Sequence, residues 1–441
     1  MKESRSGQTS DAADADVSEV MVRIDALSYG RAAIGRVDGK VVFVERAAPG
    51  DVVRARVTAD RGSYFEADLV EVVEPSPARV APPCPLFDAC GGCTWQHVAY
   101  DEQLRAKRQS VTDALTRIAG LDDPPVAPVI ASERTTGYRN RLKLRFEHGR
   151  IGFYRAQSHS LVPIDDCLIA EDRVRGALAG VEAFLATLET RVLRVELAAR
   201  GELGGIVVAI NSAGRLRRAD VHRIREFLGT HRNAVRGIVM WGRGWRRHWG
   251  DTRRRYTIAE SATIETRGAS FGQVNTEGNA VLVDTVLEAV ALASTDTVLD
   301  LYAGAGNFSL PMARRCRRVD AVEHDSAAVE AGRESAAHQR VGNLDFHVGR
   351  VERFVAELAS KGGDPPDQIV VNPPRDGLGE TTEAIARLGA PRITYVSCNP
   401  TTLARDVKTL VRHGYSVGNV VPIDLFPHTF HVESVCHALL T

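Results

Sequence analysis

Several short motifs in the 441-residue chain carry side chains suited to covalent or ligand chemistry. In Ser397-Cys398-Asn399-Pro400 a cysteine ends an apolar run, and the proline suits the first turn of a following helix. The free N–H groups of a helix start favour thiolate over thiol, so Cys398 reads as a nucleophile with a lowered pKa. Asp300-Leu301-Tyr302-Ala303-Gly304-Ala305-Gly306-Asn307-Phe308 stands where a strand must turn sharply into a helix. Gly304 and Gly306 permit torsions and a close approach that a Cβ would obstruct. One strand later Glu323 closes Val319-Asp320-Ala321-Val322-Glu323, where a carboxylate can hold both hydroxyls of a ribose. Dinucleotide fingerprints carry a third glycine, whereas this chain has Ser309, which favours S-adenosylmethionine over NAD. In Asn372-Pro373-Pro374-Arg375 two prolines stiffen a loop that can aim Asn372 and Arg375 at a planar base.

The seven cysteines are Cys84, Cys90, Cys93, Cys167, Cys316, Cys398 and Cys436, an odd number that argues against a disulfide framework. Cys84, Cys90 and Cys93 lie close together, with Gly91-Gly92 between the last two, and Cys167 follows far along the chain. Four such thiolates fit zinc or a [4Fe–4S] cluster; three clustered and one remote lean toward the cluster, and spacing leaves both open. Cys316 and Cys436 fall outside every motif and read as core thiols.

The elements that must position these groups follow from composition and periodicity. With 44% hydrophobic and 25% charged residues the chain is globular, and its length suggests two or three domains. No apolar run approaches the roughly 20 residues of a membrane span, and no basic-then-apolar leader opens the chain, so a cytoplasmic protein without membrane contact is expected. Fifty-six basic residues balance 56 acidic ones, but only six are lysines, and the arginines cluster at 139–155, 215–236 and 243–255. Arginine's planar fork suits phosphate, so a local nucleic-acid-facing surface is compatible with the neutral total.

Residues 1–18 read as a disordered tail. Short alternating runs at 20–24, 35–37, 40–44, 51–57 and 64–73 predict a five-stranded, OB-like β-barrel. A proline-rich linker then leads to a helix over 100–118, marked by Leu104, Val111, Leu115 and Ile118. Between 125 and 268, strand-like runs (141–146, 192–197, 205–210, 237–241) mix with helical ones (174–188, 219–228), giving an α/β domain. From 269 onward strands and helices alternate, with helices at 277–293, 308–315, 326–339, 381–388 and 400–411. The strands between them, at 297–301, 318–323, 344–347, 368–372 and 392–397, with two more near 415–425 and 432–439, imply a Rossmann-like sheet binding ligands at its carboxyl ends.

On these motifs the chain resembles the TRAM-domain RNA 5-methyluridine methyltransferases, S-adenosylmethionine-dependent enzymes acting on C5 of a uridine in ribosomal or transfer RNA. The resemblance rests on Val41-Val42-Phe43-Val44 with Pro49-Gly50-Asp51, on Cys84-Pro85 through Cys90-Gly91-Gly92-Cys93-Thr94-Trp95-Gln96-His97, and on Gly137-Tyr138-Arg139-Asn140. It rests equally on Phe271-Gly272-Gln273-Val274-Asn275, on Ser397-Cys398-Asn399-Pro400 with Thr402-Leu403-Ala404-Arg405-Asp406, and on Phe426-Pro427-His428-Thr429 with His431-Val432-Glu433. It implies a TRAM barrel over 19–75, a cluster-binding segment with a central RNA-binding α/β domain over 76–268, and a class I methyltransferase domain over 269–441. Cys84, Cys90, Cys93 and Cys167 then correspond to the ligands of a [4Fe–4S] cluster, Cys398 to the nucleophile that adds to C6, and Glu433 to the general base. Gln273, Tyr302, Asn307, Glu323 and Asn372 would contact the cofactor, with Phe271 stacking on the target base and Arg375 touching the substrate. The expected partner is RNA, and the expected state a monomer without an obligate protein partner.

Two departures stand out. The family usually has aspartate where this chain has Asn372, and an amide there loses charge and gains a donor face. Reduced or retuned turnover is the expectation, and the alternative is a catalytically weak RNA-binding or RNA-folding protein. At Val348-Gly349-Arg350 the family tends to place a polar or acidic residue, so the adenine contact stays unassigned.

Overall fold

Buried valines and alanines alternating with exposed charges bend residues 19–74 into a closed barrel. The computed structural model describes residues 18–259 and 262–441, so the expected tail lies, apart from Ser18, outside the described residues. The barrel strands are Glu19–Leu27, Ala32–Val37, Lys40–Glu45, Val52–Asp60 and Tyr64–Glu74. All neighbours are antiparallel except Lys40–Glu45 and Tyr64–Glu74, and this parallel pair closes the cylinder. Buried Asp51 ties the end of the barrel: its carboxylate accepts from the N–H groups of Ala48 (2.7 Å) and Ser76 (2.9 Å) and pairs with Arg79 at 2.6 Å. Residues 97–99 belong to this unit, with Nε2 of His97 3.2 Å from the carbonyl of Ala47.

Residues 82–96 and 100–441 form a second unit with two seven-stranded sheets. The central sheet runs Trp245–Gly250, Val235–Gly242, Ile206–Ser212, Val192–Ala199, Arg141–Glu147, Arg150–Tyr154, Leu161–Pro163. It has three strands beyond those expected. Leu161–Pro163 is too short to show a period, and Trp245–Gly250 is built of Trp, Arg and His rather than β-branched residues. The helix expected over 174–188 is two pieces, Asp172–Arg175 and Leu178–Ala186, and the one over 100–118 is Tyr100–Ala114 continued by a π-turn, Leu115–Ala119.

The second sheet has the order Leu344–Val348, Arg318–Glu323, Thr297–Leu301, Gln368–Val371, Arg392–Ser397, Glu433–Leu440, Tyr415–Ile423. Its first five strands are parallel, and the three inner ones Thr297–Leu301, Gln368–Val371 and Arg392–Ser397 are almost wholly buried, as cover on both faces demands, while the edge strand Leu344–Val348 is partly exposed. Glu433–Leu440 runs antiparallel to Arg392–Ser397, pairing Ser434 with Ser397. That single reversal brings Glu433, at the start of its strand, to the edge where Cys398 leaves its own. The hairpin Arg253–Ala259/Ala262–Arg267 shares this sheet's core, with Ile258 and Ile264 clustering with Leu282, Val286 and Leu310. The central and C-terminal sheets both lie in this second unit.

Candidate active site

The glycine turn is built from its own neighbourhood. Gly304 (φ 58°) and Gly306 (φ 92°) take left-handed torsions, and Tyr302 is forced into the same region at φ 62°. A Cβ on Gly306 would stand 3.0 Å from the ring of Phe346. Glu323 faces the turn: one carboxylate oxygen accepts from the N–H of Gly304 at 3.1 Å and the other from that of Asp325 at 2.8 Å. Ser309, standing where dinucleotide sites have glycine, donates its hydroxyl to buried Asp300 and so ties the helix start to the strand end. Burial and the Glu323 charge push the Asp300 carboxyl up to about 7. Tyr302 reaches Glu352 at 3.5 Å. The Asn307 amide is committed to a reciprocal pair with Asn279, both bonds 2.9 Å. The N–H of Asn372 donates to the carbonyl of Leu301 at 3.2 Å, fixing the 372–375 loop beside the turn.

Cys398, Glu433 and Arg375 meet on the neighbouring strand ends. The carbonyl of Arg375 accepts from the Asn399 amide at 3.2 Å and the Thr402 hydroxyl at 3.1 Å, which pins the loop to the helix Pro400–Arg412. Its guanidinium hydrogen-bonds Cys398 and lies 3.4 Å from Nε2 of His431. The thiol of Cys398 is held above its ordinary value, first by burial and then by the charge of Glu433, with Arg375 opposing both. This corrects the expectation of a lowered pKa. Pro400 has no N–H, and the N–H of Thr401 is taken by the Asn399 side chain at 3.1 Å, so the start of the helix offers the sulfur little. Glu433 is buried, and desolvation pushes its carboxyl up to about 8 against the pull of Arg375. Burial and Arg375 hold His431 down at about 4, so it is neutral at physiological pH.

The loop that carries Glu433, residues 424–431, is held by residues no motif flagged. Lys107 and Asp424 form a fully buried ion pair at 2.5 Å, and Lys107 also donates to the carbonyl of Phe426 at 3.1 Å. Tyr100 donates to Asp424 at 3.0 Å, and Tyr138 to the carbonyl of Pro427 at 3.2 Å. The carbonyl Oε1 of Gln103 accepts from the N–H of His428 at 2.8 Å, while the N–H groups of Thr94 and Trp95 both donate to the carbonyl of His428 at 2.9 Å. His428 is buried and holds a left-handed backbone at φ 66°. Gln103 and Lys107, one helical turn apart on the buried face of Tyr100–Ala114, are the signal that could have marked this clamp.

The cysteine segment that holds His428 also lines a cavity. Cys84, Cys90, Cys93 and Cys167 all border it, with Arg139 and Asp166 on the rim. None of the four is in a disulfide. The N–H of Gly92 donates to Sγ of Cys90 at 3.4 Å, and burial pushes the Cys167 thiol up to about 11 although the N–H groups of Ile169 and Ala170 pull the other way. Gly91 is obligatory, because a Cβ there would lie 2.7 Å from the carbonyl of Tyr154. Among the described residues no group of three or more His, Cys, Asp or Glu side chains converges to hold a single metal ion.

The arginine clusters divide. Arg223, Arg253 and Arg255 pair with Asp220, Asp251 and Glu265, at 2.8, 2.9 and 2.8 Å. Arg141 and Arg254 are buried and both donate to the carbonyl of Ser270, at 3.0 and 2.5 Å. They face inward, contrary to the surface role their sequence suggests, and fix the residue before Phe271, whose ring is 75% exposed. Gln273 follows, its carbonyl held by the Asn140 amide at 3.1 Å.

Comparison with known proteins agrees with this geometry. Residues 254–362 and 365–440 match the family described as tRNA (Uracil-5-)-methyltransferase, and residues 16–70 match the TRAM domain. An RNA methyltransferase of Halalkalibacterium halodurans is 34% identical over 94% of this chain and 96% of its own length. The 23S rRNA (uracil(1939)-C(5))-methyltransferase RlmD of Aeromonas hydrophila is 32% identical over 93% of this chain and 94% of its own. The crystal structure of Pyrococcus abyssi tRNA (uracil-54, C5)-methyltransferase in complex with S-adenosyl-L-homocysteine superposes with a TM-score of 0.73 at 26% identity, covering 95% of this chain and 100% of that one. The chain thus belongs to the tRNA (uracil-5-)-methyltransferase family and is an S-adenosylmethionine-dependent RNA (uracil-C5) methyltransferase.

Proposed function

We propose that the protein methylates C5 of one uridine in ribosomal RNA through a transient bond between Sγ of Cys398 and C6 of the pyrimidine. The observation that carries this reading is the meeting of Cys398, Glu433 and Arg375 at adjacent strand ends. C5 of uracil is a weak nucleophile. When the Cys398 thiolate adds to C6, the ring electrons move onto the C4 oxygen as an enolate, and C5 becomes nucleophilic. Bound S-adenosylmethionine supplies an electrophilic methyl group to that carbon. Glu433 then takes the C5 proton; the released electron pair restores the C5–C6 double bond and expels the thiolate. Burial makes Glu433 a stronger base than an ordinary carboxylate, and Arg375 offers the compensating charge for the thiolate. Glu323, Gln273, Tyr302, Asn307 and Asn372 would hold the cofactor around the glycine turn, and Phe271 would stack on a base extruded from RNA.

Cys84, Cys90, Cys93 and Cys167 would hold a [4Fe–4S] cluster. Four thiols around one cavity, none of them in a disulfide and two of them receiving backbone N–H groups, are the donor set a [4Fe–4S] cluster needs. Bound there, the cluster would supply a rigid four-point tie for the segment that grips His428. The reading includes a monomer working in the cytoplasm; among the described residues no helix is long and apolar enough to cross a membrane.

Ribosomal RNA is favoured because the relatives from Aeromonas hydrophila and Alkalilimnicola ehrlichii, 32% and 34% identical, are named for 23S rRNA. The solved Pyrococcus abyssi relative acts on tRNA, which makes tRNA the second reading. Mass mapping of both RNAs from a deletion strain decides. One 5-methyluridine missing from 23S rRNA is expected; a loss confined to tRNA moves the reading there, and an unchanged profile overturns it.

A further inference from the structure

A cavity of about 600 Å³ opens between the central hairpin and the loop that carries Phe271. It is lined by Trp241, Trp245, Arg246, Ser270, Phe271 and Asp325. That volume lies within the usual range for a small-ligand site. Its walls are braced. Nε1 of Trp245 donates to the carbonyl of Gly214 at 2.8 Å, and Ser270 is fixed from behind by buried Arg141 and Arg254. On the far side the Asp325 carboxylate is engaged as a helix cap, accepting from the N–H of Ala327 at 2.9 Å. Arg243, Arg246 and Arg247 on the hairpin are exposed, and among the described residues none has a carboxylate within ion-pair distance, unlike Arg253 and Arg255 a few positions on. Aromatic faces beside unneutralised arginines are what single-stranded RNA needs: a base stacks on the rings while the guanidinium meets its phosphate or stacks in turn.

We infer that this cavity holds an unstacked nucleobase of the substrate RNA, the nucleotide next to the target uridine. The placement rests on the proposed role of Phe271, which borders the cavity and also meets the target base. Two unpaired bases are thereby read side by side, and the second contributes to the choice of site on the RNA.

The probe is an 11-nucleotide RNA with one central uridine among cytidines, fluorescein-labelled, its binding followed by anisotropy. Each flanking nucleotide is replaced in turn by an abasic ribose. One replacement next to the uridine should weaken binding to the parent protein about tenfold, and to Trp245→Ala less than twofold. Arg246→Gln, at an exposed position, should weaken binding three- to tenfold and reduce the salt slope by about one. Affinity for S-adenosylhomocysteine should stay within twofold in both variants. An RNA insensitive to every flanking replacement overturns the inference, as does a Trp245→Ala protein that loses S-adenosylhomocysteine instead, since the cavity then serves the cofactor. The abasic penalty needs no turnover, so it can survive a negative deletion-strain profile, which would sink the uridine reading alone.

Discussion

The glycine turn and the loop before Glu433 stand on one edge of the same sheet but are secured in opposite ways. The turn is local: Glu323 holds Gly304 from 19 positions away and Asp300 holds Ser309 from nine. The base loop is held from the other end of the chain, Lys107 reaching Asp424 across 317 positions and Gln103 reaching His428 across 325. The turn proposed to face the cofactor is thus shaped largely by a stretch that folds on itself. The proton removal proposed for Glu433 would instead depend on tertiary closure between the cysteine segment, the helix Tyr100–Ala114 and the last two strands.

The largest separation of the two regions should come from breaking the buried ion pair. Lys107→Met or Asp424→Asn leaves one buried charge or polar group uncompensated, which costs about 3–5 kcal/mol of stability. In urea titrations either variant should unfold earlier, and turnover should fall more than tenfold while affinity for S-adenosylhomocysteine holds. The double variant Lys107→Met/Asp424→Leu should recover much of the stability but not the turnover. Equal losses of cofactor affinity and turnover would erase the distinction.

A smaller effect concerns the base itself. Glu433 has a folded pKa of about 8 against an ordinary 4.5, so the folded state binds a proton that the unfolded state releases. Stability therefore falls as pH rises from about 4.5 to 8, by a total on the order of a few kcal/mol. Glu433→Gln removes that titration. Its melting temperature should match the parent near pH 4 and exceed it by several degrees at pH 8, while turnover collapses. A difference independent of pH would contradict the assigned burial. Smallest is Asn372→Asp, which restores the charge usual in the family and should raise kcat/KM two- to tenfold; unchanged or lower turnover would make the asparagine neutral or adapted.

What could be read from the sequence follows the same division. The glycine turn, Glu323, the barrel strands and the parallel strands announce themselves through glycine torsions and apolar periods, which are local quantities. The clamp was illegible because a buried lysine on a helix face looks like a surface charge until its partner is known. Arg141 and Arg254 misled in the same way: their type suggested RNA, but they are spent inside on Ser270. The upward shift of the Cys398 thiol is not legible in the sequence, because the helix start is local while the burial and the Glu433 charge that raise it come from tertiary packing. The hairpin at 253–267 joined the C-terminal core through Ile258 and Ile264, a long-range contact no period reveals.

The central claim is that a sulfur–carbon bond forms at position 398, and one measurement reaches it directly. A substrate RNA carrying 5-fluorouridine at the modified position is incubated with the protein and S-adenosylmethionine, then digested and analysed by mass spectrometry. Fluorine cannot leave C5 as a proton does, so the account predicts a stable methylated adduct on the peptide containing Cys398, absent from Cys398→Ala. Turnover of ordinary RNA with no adduct, or an adduct mapped to another cysteine, would contradict it.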